Sequence, residues 1–234
     1  MQSYWTISIA CFLKDLEGQR EKLKSAIKKY QGFDCGFLVP ERSRHLTVFA
    51  IARYPEVVQE ESDALPSFLE LRDEIDRNLK EDPACVPNGG IVLKLTGVES
   101  WSDGLSFQFT SADLKEIRQR LLKVIEGPYS TLSPRYNWYS LLHDDQKSRG
   151  QKATACIIRL PLGKEEKSVL RWQEKWSDGK QRNLTCKKMY LVLSNPSLTN
   201  PHDKSLLISF RLDEKCCPGK DLKFRLLPAT RRMG

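Results

Sequence analysis

Apolar residues fall in short blocks along the chain, separated by polar, glycine- and proline-bearing stretches. "WTISIACFL" at 5–13 is a β-rich run that predicts a first strand, and "GFLVPERSRHLTVFAIARY" predicts a loop followed by a second strand. Between them Leu16, Leu23, Ile27 and Tyr30 recur at seven, four and three, a stripe that predicts a helix. A second helix is expected over 65–80, with Phe68, Leu71, Ile75 and Leu79 on one side, and "DPACVPNGG" breaks it.

Beyond that break, "GIVLKLTGVES" and "LSFQFT" flank "WSDG" and predict a hairpin. "TSADLKEIRQRLLKVIEG" predicts a helix with Ser111 as N-cap, Leu114, Ile117, Leu121 and Val124 facing inward, and Gly127–Pro128 as its end. A polar, aromatic-bearing stretch from 129 to 151 precedes the strand-like "KATACIIRLPL". A further helix is expected around 165–176, with Val169, Trp172 and Trp176, then a loop in "WSDGKQRNLT" and two terminal strands, "KKMYLVLS" and "SLLISFRL". Residues 105–160 therefore repeat the order of 5–53: strand, helix, long connector, strand. This pattern predicts an α+β protein, one domain over 1–234, with lobe one at about 1–95, lobe two at about 96–215 and a basic tail at 216–234. Two such lobes are expected to pack as a pseudo-symmetric pair with a cleft between them.

Composition narrows the class. The 234 residues are 40% hydrophobic and 29% charged, as in globular proteins at large. No apolar run approaches the ~18 residues of a membrane helix, and the amino terminus lacks a basic region ahead of its apolar stretch, so it is read as a strand rather than a signal peptide. Seven cysteines show no CxxC pair, and Cys216 and Cys217 are the only close couple. With no secretory signal the expectation is reduced thiols in a cytoplasm. Three scattered histidines argue against zinc, and no cofactor is implied. The net charge of +8 favours an anionic partner such as nucleic acid or a nucleotide. The excess is local at Arg42–Arg44 and at Lys220, Lys223, Arg225, Arg231 and Arg232, and it fits a solvated basic surface equally well. There is no GxxxxGK[ST], GxGxxG or GxSxG motif.

The chemistry concentrates in "RSRHLTVFA", residues 42–50. On a strand, His45 and Thr47 point to one face. An imidazole can act as general base or acid near neutral pH, a hydroxyl can donate to a phosphoryl oxygen, and Arg44 adds attraction for an anion. The plain alternative is a strand histidine bonded to a neighbour for structural reasons.

The element order together with His45-Leu46-Thr47 resembles the 2H phosphoesterase superfamily, over about residues 4–212. That resemblance implies antiparallel sheets around a central cleft, with one H-x-T/S motif from each lobe facing it. It also implies action on RNA ends, 2′,3′-cyclic phosphates or signalling oligonucleotides. The first motif matches at His45 and Thr47. In the place of the second stands Thr154-Ala155-Cys156, with no histidine. Three readings follow. The protein is a degenerate member that binds a nucleotide or RNA end without cleaving it, or a substitute group supplies the missing acid, or the resemblance is accidental. His143 on the connector is the candidate substitute, and Lys152 and Cys156, on one strand face with Thr154, are weaker ones. Thr154 would be a second phosphate donor. His143 also fits a solvated charged loop, and His202 a surface turn. The aromatics of "SPRYNWYSLLH" fit either base stacking beside Arg135 or packing. The different-class alternative is a protein-interaction module on the same scaffold.

Overall fold

A computed structural model of the chain describes residues 5–13, 16–18, 37–39, 44–54, 61–81, 90–101, 104–143, 150–159, 173–175, 182–194, 206–212 and 225–226. Their strands are β1 (Thr6–Phe12), β2 (Leu16–Gly18), β3 (Phe37–Leu38), β4 (His45–Arg53), β5 (Ile91–Trp101), β6 (Gly104–Thr110), β7 (Tyr139–Ser140), β8 (Lys152–Arg159), β9 (Gln173–Lys175), β10 (Arg182–Cys186), β11 (Tyr190–Ser194), β12 (Leu206–Arg211) and β13 (Arg225–Leu226). All pairings between them are antiparallel, in the order β13-β12-β11-β1-β4-β8-β6-β5-β10-β2. Two helices are described, α1 (Glu61–Glu81) and α2 (Leu114–Tyr136). The architecture is α+β, and no described helix is long and apolar enough to cross a membrane.

The sheet is strongly curled. β1 and β10 stand five places apart in the strand order, a span of about 24 Å in a flat sheet. Yet Cys11 on β1 and Cys186 on β10 have Cα atoms 6.5 Å apart and form a disulfide. For these two cysteines the expectation of reduced thiols is corrected. Only Lys187–Met189 separate β10, which pairs with β5, from β11, which pairs with β1. Gly90 adjoins this closure at φ +77°, where an added Cβ would lie 2.6 Å from the Cys186 carbonyl oxygen, so no side chain fits.

Helical periodicity is legible where the helices are described. Phe68, Leu71 and Ile75 of α1 are buried in the main core, as are Leu114, Ile117, Leu121 and Val124 of α2. They meet the alternate sheet positions Ile7, Ile9, Leu46, Phe107, Phe109, Ala153 and Ala155. Tyr54, just past β4, hydrogen-bonds Ser67 of α1. Burial raises its phenol above the usual range, with the Ser67 bond opposing that shift.

Several expectations from the sequence are corrected. Leu16–Gly18, expected as the start of a helix, is a strand paired with β10, and the remainder of that expected helix lies outside the described residues. Gln173–Lys175, placed in a helix by its spacing, pairs with β5, and Arg182–Cys186, expected as loop, also pairs with β5. Pairing partners distant in sequence decide these segments, and local periodicity does not contain them. Asp113 rather than Ser111 is the N-cap of α2, while the Ser111 Oγ accepts from the Asp113 amide at 3.3 Å.

α2 also runs through Gly127–Pro128 and ends at Asn137, which adopts the left-handed conformation at φ 50°. Pro128 lacks the N–H that would bond the Val124 carbonyl four residues back. The Asn78 side chain of α1 donates to that carbonyl instead, at 3.0 Å. Asn78→Ala is expected to destabilise the fold by about 1 kcal/mol, read as a lower urea midpoint at constant m-value. An unchanged midpoint would show that solvent serves the carbonyl equally well.

Candidate functional site

The strands seat the H-x-T residues at the centre of the sheet, on the face turned away from the main core. Leu46 of β4 pairs with Ala155 of β8, both fully buried. Extending this antiparallel register by one residue each way places His45 beside Cys156 and Thr47 beside Thr154. All four are half-buried.

Two cross-strand rows follow from the pairings. The first runs Glu99–Ser106–Cys156–His45–Phe12, and the second Gln108–Thr154–Thr47–Ala10. The Gln108 side-chain amide donates to the Glu99 carboxylate. The Phe12 ring meets the His45 imidazole edge-on, centroids 6.2 Å apart, and Tyr190 packs on the other side of Phe12 at 4.9 Å. The result is a polar patch of imidazole, thiol, hydroxyls and amide, with an aromatic wall at one end and the Glu99 carboxylate, taken up by Gln108, at the other. It presents hydrogen-bond donors to an anion and one histidine to move a proton.

Both motif strands carry a bulge at the same offset. Ala10 lies opposite Thr47 and Ile9 opposite Phe49, so Val48 is the extra residue on β4. Ser106 lies opposite Cys156 and Leu105 opposite Ile158, so Ile157 is the extra residue on β8. Each bulged residue stands two beyond the Leu46–Ala155 pair on its own strand. A bulge bends the strand and re-aims the side chains before it.

A residue that sequence reasoning missed holds this centre from behind. Arg118 of α2 is 1% exposed. Its Nε donates to the carbonyl of Val48 at 2.7 Å, its Nη1 to Gly150 at 2.5 Å and its Nη2 to Lys152 at 2.7 Å. One planar guanidinium thus ties the bulge of β4 to the chain entering β8. In "LKEIRQRLLKV" an arginine one position from Ile117 reads as part of the charged face. The available signal is that 118 lies four residues after Leu114 and three before Leu121, within the apolar stripe.

The remaining predicted residues are distributed differently. Lys152 is exposed and shares the Thr154–Cys156 face. Arg44 is buried, with its Nε donating to the Val39 carbonyl at 2.6 Å, and by strand alternation it lies on the side of Leu46 rather than that of His45. His143 is exposed in the turn after β7. Leu141, two residues earlier, donates its amide to the Ile51 carbonyl. The strands therefore bring His143 to the far half of β4 and not to the row of His45. His202 and Arg42 lie outside the described residues. In the aromatic stretch, packing is the outcome for Trp138, which is buried and stacked between Tyr129 and Tyr136. Arg135 and Tyr136 both bind Glu70. Tyr139 is exposed, with the Arg53 guanidinium 4.7 Å from its ring centroid.

No protein-family model matches the chain, and no curated protein matches it. Among solved structures, TT0787 of Thermus thermophilus is 13% identical, covering 90% of this chain and 100% of its own with a TM-score of 0.46. A phosphoesterase is 12% identical over 89% of this chain and 99% of its own, with a TM-score of 0.43. LigT of E. coli, solved in complex with 3′-AMP, is 12% identical over 90% of this chain and 95% of its own, with a TM-score of 0.42. LigT of E. coli has also been solved in complex with phosphate, at 13% identity over 91% of this chain and a TM-score of 0.42.

Proposed function

We propose that this protein binds a phosphate ester of RNA, a 2′,3′-cyclic phosphate or a signalling oligonucleotide at the centre of its sheet, in the manner of a 2H phosphoesterase that has lost one histidine. The observation that carries the proposal is the register seating His45 and Thr47 beside Cys156 and Thr154, with a bulge at the same offset on each strand. The two lobes are then related by a pseudo-twofold axis through the Leu46–Ala155 pair. His45-x-Thr47 is answered across that axis by Thr154-x-Cys156. Thr47 and Thr154 donate to the phosphoryl oxygens, Lys152 adds positive charge, and His45 serves as the one general acid or base. Cleaving a phosphodiester needs a proton removed from the attacking oxygen and another delivered to the leaving oxygen. A single histidine fills one of these roles, and absence of the other lowers the rate by ~10²–10⁴-fold. Binding is therefore the principal activity, with slow turnover at most.

The test is a thermal-shift titration with 2′,3′-cyclic AMP and with short RNA ending in a 2′,3′-cyclic phosphate. A ligand that binds only the folded state raises the melting temperature as its concentration passes Kd. The expected result is a rise with the wild-type protein that disappears in His45→Ala. No rise with either compound overturns the proposal, and a rise that survives His45→Ala removes His45 from the site.

A further inference from the structure

A cavity of about 260 Å³ opens at the other end of the same sheet face, lined by residues including Val92, Lys94, Thr110, Ser111, Asp113 and Gln151. A third cross-strand row, Lys94–Thr110–Lys152, leads from its lining to Lys152, on the face that carries Thr154 and Cys156. We propose that this cavity is a second nucleotide subsite, and that the ligand of the protein is a single-stranded RNA oligonucleotide rather than a mononucleotide. The inference rests on the function proposed above and narrows its ligand.

The lining has the mixed chemistry of a nucleotide pocket. Val92 is 49% exposed, one of two large apolar side chains left so open among the described residues, and it offers an apolar contact to the face of a base. Gln151 can both donate to and accept from a base edge. Lys94 within the cavity and Lys152 at its border supply two cations flanking the Thr110 hydroxyl, a setting for a phosphate. Asp113 brings only acceptor oxygens and repels a bare anion. It does suit a donor-bearing part of a nucleotide, an exocyclic amine or a ribose 2′-hydroxyl. A ligand with anion, apolar ring face and donors in one molecule satisfies all of these groups, whereas inorganic phosphate satisfies only the lysines.

Spacing sets the length. Cys156 and Lys152 are four residues apart on β8, about 13 Å along the strand, and Lys94 lies two strands further across the sheet. One nucleotide held at His45 and Thr47 does not reach Val92 and Asp113. A chain of several does.

The experiment measures fluorescence anisotropy with labelled single-stranded RNAs of increasing length that end in a 2′,3′-cyclic phosphate, against wild type, Val92→Asp and Lys94→Glu. Both substitutions are on the sheet surface, and their melting temperatures are compared with wild type to verify folding. Affinity is expected to rise at least about tenfold from mononucleotide to oligonucleotide. Each variant should lose that gain and keep the mononucleotide affinity. A wild-type affinity independent of length, or a length gain untouched by both variants, overturns the second subsite while leaving the first intact. Failure of every RNA to bind, the mononucleotide included, overturns the proposed function itself.

Discussion

Replacing Arg118 by methionine is expected to cost about 3–5 kcal/mol of folding stability, on the scale of breaking a buried charged network. Methionine matches the length of the aliphatic stem but removes three donors at once. The carbonyls of Val48, Gly150 and Lys152 lose the bonds they receive at 2.7, 2.5 and 2.7 Å. An acceptor deprived of its donor in a buried setting costs about 1–3 kcal/mol. Arg118→Lys is expected to recover only part of the loss, because an ammonium cannot reproduce the planar fork that reaches two strands together. Urea denaturation monitored by tryptophan fluorescence gives both values. A loss below about 1 kcal/mol for the methionine variant would mean that solvent or a backbone shift satisfies the three carbonyls. The effect should extend to ligand: wherever the variant remains folded, the cyclic-phosphate thermal shift should shrink, since Val48 directly follows Thr47 and its carbonyl anchors the bulge.

Reduction of the Cys11–Cys186 bridge carries an effect of similar size. The two cysteines are separated by 175 positions. For a closed loop of that length the chain-entropy relation gives about 5 kcal/mol of stabilisation, at the top of the usual 2–5 kcal/mol range. For a protein of this size that corresponds to a fall in melting temperature on the order of 10 °C. Dithiothreitol should produce this fall in the wild type and no fall in Cys11→Ala/Cys186→Ala, which should melt near the reduced wild type. Alkylation of the native, unreduced protein should modify neither residue, as both sulfurs are held in the bridge and both side chains lie in the core. Equal melting temperatures with and without reductant, together with alkylation of either residue, would overturn the bridge.

The sequence reveals those parts of the molecule that are determined locally. The H-x-T strand, the hairpin at "WSDG", both described helices and the strand holding Thr154 and Cys156 all follow from periodicity and turn chemistry. The short strands at Leu16–Gly18, Gln173–Lys175 and Arg182–Cys186 do not, because each exists through a partner far along the chain. Pro128 reads as a helix end because the donor that rescues Val124, Asn78, belongs to another helix. The seating of Thr47 beside Thr154 depends on a register that only the folded sheet defines. Arg118 is hidden for a related reason: its partners are backbone carbonyls, which have no sequence signature. Arg44 illustrates the converse, since adjacency to His45 along the chain means opposite faces on a strand.

The three-residue link between β10 and β11 has a consequence for how the chain is made. β1 emerges from the ribosome well before one of its two neighbours, β11, from residues 190–194. The adjoining β10 is likewise a neighbour of β5. Until that late segment arrives, β1 and the Ile91–Leu95 part of β5 present an unsatisfied edge, a template for pairing with other chains. The segment from β10 onward therefore acts as a clasp, and a chain terminated before residue 182 would be left with two adhesive borders. Such long-range closure also makes folding slow relative to local helix formation, so shortened forms of this protein should be recovered as aggregates rather than as smaller folded units.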